Sequence, residues 1–141
     1  MGRDLAKRVG PGGRVLGLER SRPDGEAGRQ MSERMGLARL ENRQHDLRRN
    51  PLPAEPFDLV WCRWLTMFLS EPARLPEALP RRMGPGGRLL LHACGHRPTL
   101  APYPDGEAVV RFGQTADQSV VAAGGEPTIN RGLPSLLAAR G

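Results

Sequence analysis

The chain has 141 residues, 38% of them apolar and 26% charged, which suits one modest domain with a real core and is short for a complete doubly wound enzyme. Its net charge of +6 does not argue for nucleic acid, because Lys7 is the single lysine among 21 basic residues and the arginines are scattered without interleaved aromatics, a compositional bias with no binding stripe. No run approaches the roughly 18 apolar residues of a membrane span, the N-terminus lacks the apolar core of a signal peptide, and Cys62 and Cys94 make no disulfide framework, so the expectation is a cytoplasmic protein without membrane or nucleic-acid partners.

In chain order, residues 3–9 read as the tail of a helix. Gly10-Pro11-Gly12-Gly13-Arg14 then ends it and releases the chain into a strand over 14–19. A crossover helix follows over 24–35, polar but with Met31 and Met35 four apart, and Gly36 closes it. The next strands fall over 40–44 and 59–63. Ser70 is placed to cap a helix over 71–83 with Leu75, Leu79 and Met83 on one stripe, although Pro76 and Pro80 strain its interior. A second Gly-Pro-Gly-Gly-Arg, Gly84 to Arg88, reads as another helix-to-strand joint before a strand over 88–93. Residues 94–105 carry three prolines and read as a loop. A helix over 106–123 is stopped by Gly124-Gly125, and a short closing helix spans 133–139.

Apolar runs such as Val15-Leu16-Gly17-Leu18 and Leu89-Leu90-Leu91 lack polar alternation, as strands buried on both faces do, and strand alternates with helix. The expected fold class is therefore α/β, with a mostly parallel sheet of about four strands built from right-handed βαβ units and flanked by helices. The expected organisation is a single unit over 1–141, with its α/β core in 1–96 and a loop and helical region in 97–141.

Four segments, Arg14 to Ser21, Gln44 to Leu47, Phe57 to Arg63 and Met83 to His92, resemble in order and spacing the second to fifth strands of class I S-adenosylmethionine-dependent methyltransferases. The resemblance implies a Rossmann-like fold, S-adenosylmethionine as cofactor and a small metabolite as methyl acceptor. An acidic residue closing a parallel strand can accept both ribose hydroxyls, and Glu19 stands at that point. By the resemblance, Asp46 accepts from the exocyclic amine of adenine, and His45 or Leu47 packs on the base. Glu19, Arg20, His45, Asp46, Leu47 and Cys62 make up the implied cofactor contacts. Arg63, His92 and His96 are the candidates to orient an acceptor. Trp61 and Trp64 flank an apolar strand and are expected chiefly as core.

The family's GxGxG loop and the strand before it have no counterpart here, since Met1 falls inside the helix that should follow them, and no closing strands are visible beyond residue 93. The expectation is accordingly a methyltransferase domain truncated at both ends, with activity impaired or lost. The gap at the centre of the sheet must be closed either by the strands over 14–19 and 59–63 pairing directly or by a strand from another chain, such as a second copy in a homodimer. The alternative function is a non-catalytic module that recruits a partner through exposed sheet edges. His92, Cys94 and His96 match no common zinc spacing, so no metal is expected. A cysteine nucleophile with His92 as base lacks an oxyanion-hole motif and a third orienting residue.

Overall fold

In the computed structural model, which describes residues 1–93 and 106–139, the first helix, α1 (Gly2–Arg8), ends where Gly10 takes a left-handed φ of +70°. The chain turns through Gly13, whose N–H donates to the Gly10 carbonyl at 3.4 Å, into strand β1 (Val15–Glu19). Ser21 caps helix α2 (Arg22–Arg34), its hydroxyl accepting the Asp24 N–H at 3.4 Å, with proline in the first turn where no intrahelical amide partner is needed. The helix closes in a Schellman motif: Gly36, at φ +63°, donates to Glu33 at 3.0 Å and Leu37 to Ser32 at 2.9 Å. Strand β2 (Leu40–Gln44) then pairs parallel with β1, Val15 opposite Leu40 through Glu19 opposite Gln44.

These elements belong to the first of two compact units, Met1–Pro51. Within it α2 turns small residues inward, the reverse of what its methionine pair suggests. Met31 and Met35 are exposed, whereas Gly25 and Ser32 are buried. Ser32 donates to the Gly28 carbonyl and accepts from Asn42 Nδ2, both at 2.9 Å, tying the helix to β2. A side chain at Gly28 would begin 3.4 Å from Asn42 Oδ1, which is why this face is kept small.

The second unit, Leu52–Gly141, holds strand β3 (Phe57–Arg63), parallel to β4 (Met83–His92). Between them the expected helix over 71–83 is broken. Ser70 caps nothing; a 3₁₀ turn spans Thr66–Phe68, the short helix α3 covers only Arg74–Ala78, and a second 3₁₀ turn takes Pro80–Arg82. The prolines are the cause. Pro76 is the third residue of α3 and Pro80 the first of its turn, positions whose missing N–H has no partner to lose, so the chain stops and restarts and avoids the interior strain. Leu75 and Leu79 are buried as expected, but Met83 has already entered the strand.

Helix α4 (Glu107–Ala122) ends in a second Schellman motif, with Gly124 at φ +81° and Gly125 donating to the Val120 carbonyl at 2.9 Å. A 3₁₀ turn at Ile129–Arg131 leads into α5 (Leu133–Ala138). The core of this unit is Met67, Leu69, Leu75, Leu79, Val120 and Leu133, with the Thr66 hydroxyl and the Asn130 side chain hydrogen-bonded and buried among them. It lies with the turns and helices, while Leu59 and Leu90 of the strands remain 46% exposed.

Among the described residues there are four strands, all in parallel pairs, as the α/β expectation required. They form two two-stranded sheets, β1 with β2 and β3 with β4, where one sheet was expected.

Candidate functional site

In the first unit the carboxyl ends of β1 and β2 lie side by side, since Glu19 is in register with Gln44 and His45 extends the ladder by donating its N–H to the Glu19 carbonyl at 2.8 Å. Glu19, Arg20, His45, Asp46 and Leu47 are thus gathered by the parallel register alone. Glu19 is exposed, and one of its carboxylate oxygens accepts the Ser21 N–H at 2.9 Å.

Asp46 is already engaged. Arg48 grips it with two side-chain contacts, at 3.1 and 2.9 Å, and with its backbone N–H at 3.0 Å, while Arg49 stands 4.0 Å away. That bidentate guanidinium holds the Asp46 carboxyl well below the usual carboxylate range. His45 Nε2 is buried without a hydrogen-bond partner. A buried imidazole nitrogen left unpaired is costly, and a bound ligand offering one polar group would remove that cost. The open pocket of about 320 Å³ between α1, α2 and β2, lined by Gly2, Met31, Leu40 and Asn42, is not this site, because Leu40 opens β2 and the acidic residues close the strands.

In the second unit Arg63 lies opposite His92 at the carboxyl ends of β3 and β4. Cys62, opposite Leu91, is half-buried, and burial pushes its thiol up to about 11. A thiol so held carries little thiolate at neutral pH, which suits a neutral packing role and not a nucleophile. His96 and Cys94 lie outside the described residues.

The two tryptophans divide. Trp61 is half-buried with its indole N–H unpartnered, but Trp64, expected with it as core, is 57% exposed. Its φ of +52° sets it apart from every other described residue except glycines. Nothing in the order Trp-Cys-Arg-Trp announces a left-handed backbone. The legible signal was only an arginine beside an aromatic at a strand end, and the Arg63 guanidinium does lie 5.5 Å from the Trp64 ring centre.

Parallel strands joined by helices, in two two-stranded sheets, make this an α/β protein. A family model described as a methyltransferase domain matches residues 2–91, which runs from α1 almost to the end of β4. The chain belongs to this methyltransferase-domain family. It is also 27% identical over 120 residues to an uncharacterized 37.1 kDa protein in transposon TN4556 from Streptomyces fradiae, a match covering 85% of this chain and 34% of that protein. The chain thus spans about a third of that relative's length. Among the described residues no helix is long and apolar enough to cross a membrane.

Proposed function

We propose that this protein transfers a methyl group from S-adenosylmethionine to a small-molecule acceptor in the cytoplasm. The observation that carries the reading is the register that brings Glu19, His45 and Asp46 together at one strand end of a methyltransferase-family chain. In this reading Glu19 accepts the ribose hydroxyls and Arg20 flanks them. His45 and Leu47 pack on the adenine, and Asp46 receives its exocyclic amine through lone pairs that Arg48 does not use. Cys62 contributes a neutral wall near the methionine part, and Arg63, His92 and His96 orient the acceptor. The cofactor, when bound, supplies a methyl group on an electron-poor sulfonium sulfur. The chain's share is positioning and exclusion of water, which is where the barrier to such a displacement is chiefly lowered. A second copy, added through an open strand edge, is the partner this reading admits.

Calorimetric titration of the purified chain with S-adenosylmethionine and with its demethylated product tests the proposal. Saturable binding is expected, weakened in Glu19→Ala by roughly 10-fold or more, as for loss of hydrogen bonds to a charged acceptor. Absence of binding to a folded sample overturns the reading and leaves the strand-edge interaction module, which self-association in sedimentation would then report.

A further inference from the structure

We infer that the end of β3 is the seat of a planar aromatic ligand carrying a carboxylate, with the Trp64 ring as its platform and Arg63 as its anion clamp. The inference rests on the methyl-transfer reading only in making that ligand the acceptor.

The first support is the backbone. A tryptophan in the left-handed region is a conformation bulky side chains rarely take, and it persists only where the surroundings hold it. Here they do. The Trp64 N–H donates to the His92 carbonyl at 2.8 Å, continuing the β3–β4 ladder. Two residues later Thr66, 2% exposed, hydrogen-bonds the buried Asn130, and the carbonyl of buried Met67 accepts the Glu126 N–H at 2.9 Å. Buried, hydrogen-bonded residues of this unit's core thus follow the turn within three positions. What the turn holds is a large ring turned out to solvent, 57% exposed, where a relaxed backbone would let an apolar ring fold back.

The second support is charge. The Arg63 guanidinium lies 5.5 Å from the Trp64 ring centre, and among the described residues no carboxylate pairs with it. Arginine presents a planar fork that matches a carboxylate with two hydrogen bonds. Opposite it in register stands exposed His92, a further polar group. A largely exposed indole, a cation over one of its faces and an imidazole across the strand pair recognise a flat ring with an anionic substituent. An aliphatic acid would leave the ring face unused, and a neutral ring would leave the arginine unpaired.

The test uses the full chain with Trp61→Phe, which leaves Trp64 as the sole indole, and follows its fluorescence without cofactor. Added 4-hydroxybenzoate should quench saturably. Phenol, lacking the anion, and cyclohexanecarboxylate, lacking the ring, should each bind at least 10-fold more weakly. Arg63→Gln, an exposed substitution that leaves the fold intact, should weaken 4-hydroxybenzoate by about 10-fold, the usual worth of a charged hydrogen-bonded pair, and phenol hardly at all. No saturable quenching, or equal affinity for all three probes, overturns the inference. A parallel S-adenosylmethionine titration of the same sample separates the two readings. Cofactor binding without 4-hydroxybenzoate binding removes the seat and keeps methyl transfer, and the converse keeps the seat and removes methyl transfer.

Discussion

Residues 10–14 and 84–88 are the same pentapeptide, Gly-Pro-Gly-Gly-Arg, and each leads to an apolar strand, yet the chain passes through them differently. In the first copy the first glycine is left-handed, Gly10 at φ +70°, because α1 arrives as a regular helix and needs a residue of that hand just past its end. In the second copy the second glycine, third residue of the five, is left-handed, Gly86 at φ +78°. The 3₁₀ turn before it has already closed, Arg82 donating to the Leu79 carbonyl at 2.8 Å, and Met83 is extended and paired with Phe57 before the glycines begin. They form an excursion inside β4, which resumes its pairing at Arg88 opposite Leu59. Five identical residues specify that the chain will bend, and the element arriving from the N-terminal side decides where. The two strand ends they serve diverge as well, since the first unit holds a carboxylate charged at Asp46 and the second holds a thiol neutral at Cys62.

The sharpest way to break this comparison lies at the fourth position, the last glycine of each copy. A side chain at Gly13 would begin 2.3 Å from the Val9 carbonyl oxygen, whereas at Gly87 the nearest atoms are at 2.9 Å. Gly13→Ala should therefore lower stability by roughly 3 kcal/mol and Gly87→Ala by roughly 1–2 kcal/mol, read from urea unfolding midpoints. Equal losses would mean that the two turns relax alike.

Next come the first and third positions, where sensitivity should cross over. Gly10→Ala places a side chain at a left-handed φ and should lose roughly 1–2 kcal/mol, while Gly84→Ala, unstrained and with nothing within 4 Å, should stay within about 0.5 kcal/mol. At the third position the order reverses, with Gly86→Ala costly and Gly12→Ala tolerated. The same ranking at both positions would refute the assignment of the left-handed residue.

The smallest effects are in pH. Asp46 is depressed from its ordinary 3.8 by Arg48, so the pair's stabilisation is complete above about pH 4 and is lost as the pH falls through the lower folded value. Its carboxyl resonance should still report an ionised group at pH 3. Cys62 is raised from 9.0 to about 11, so its contribution is intact below pH 9 and fades between those values as the unfolded thiol ionises first. Alkylation of Cys62 should accordingly stay slow at pH 9. A thiol reacting there at the rate of an exposed cysteine would remove the contrast between the two strand ends.

Much of the local structure was legible because its signals are local. The glycines at 36 and 124 end α2 and α4 in the motif their sequence calls for, and β2 occupies Leu40–Gln44, the span its residues suggest. The acidic strand ends were legible for the same reason, since Glu19 needs only its place in β1 to reach the edge of the sheet. What was not legible depends on contacts distant in sequence. Two sheets in place of one is a choice among strand edges that no window of residues contains. The inward face of α2 is set by Asn42 on β2, which favours Gly28 and Ser32 over the methionines. The left-handed backbone and exposure of Trp64 have no signal in the residues beside it.

The end of α4 has one more consequence. Gly125 leaves space that a side chain would close, its first carbon falling 2.3 Å from the Met67 carbonyl oxygen, and through that space the Glu126 amide reaches the same oxygen. That single proton is therefore shielded only while the segment after Trp64 stays in place. Its rate of replacement by solvent deuterium is a clock for the tryptophan turn, readable from a residue far along the chain.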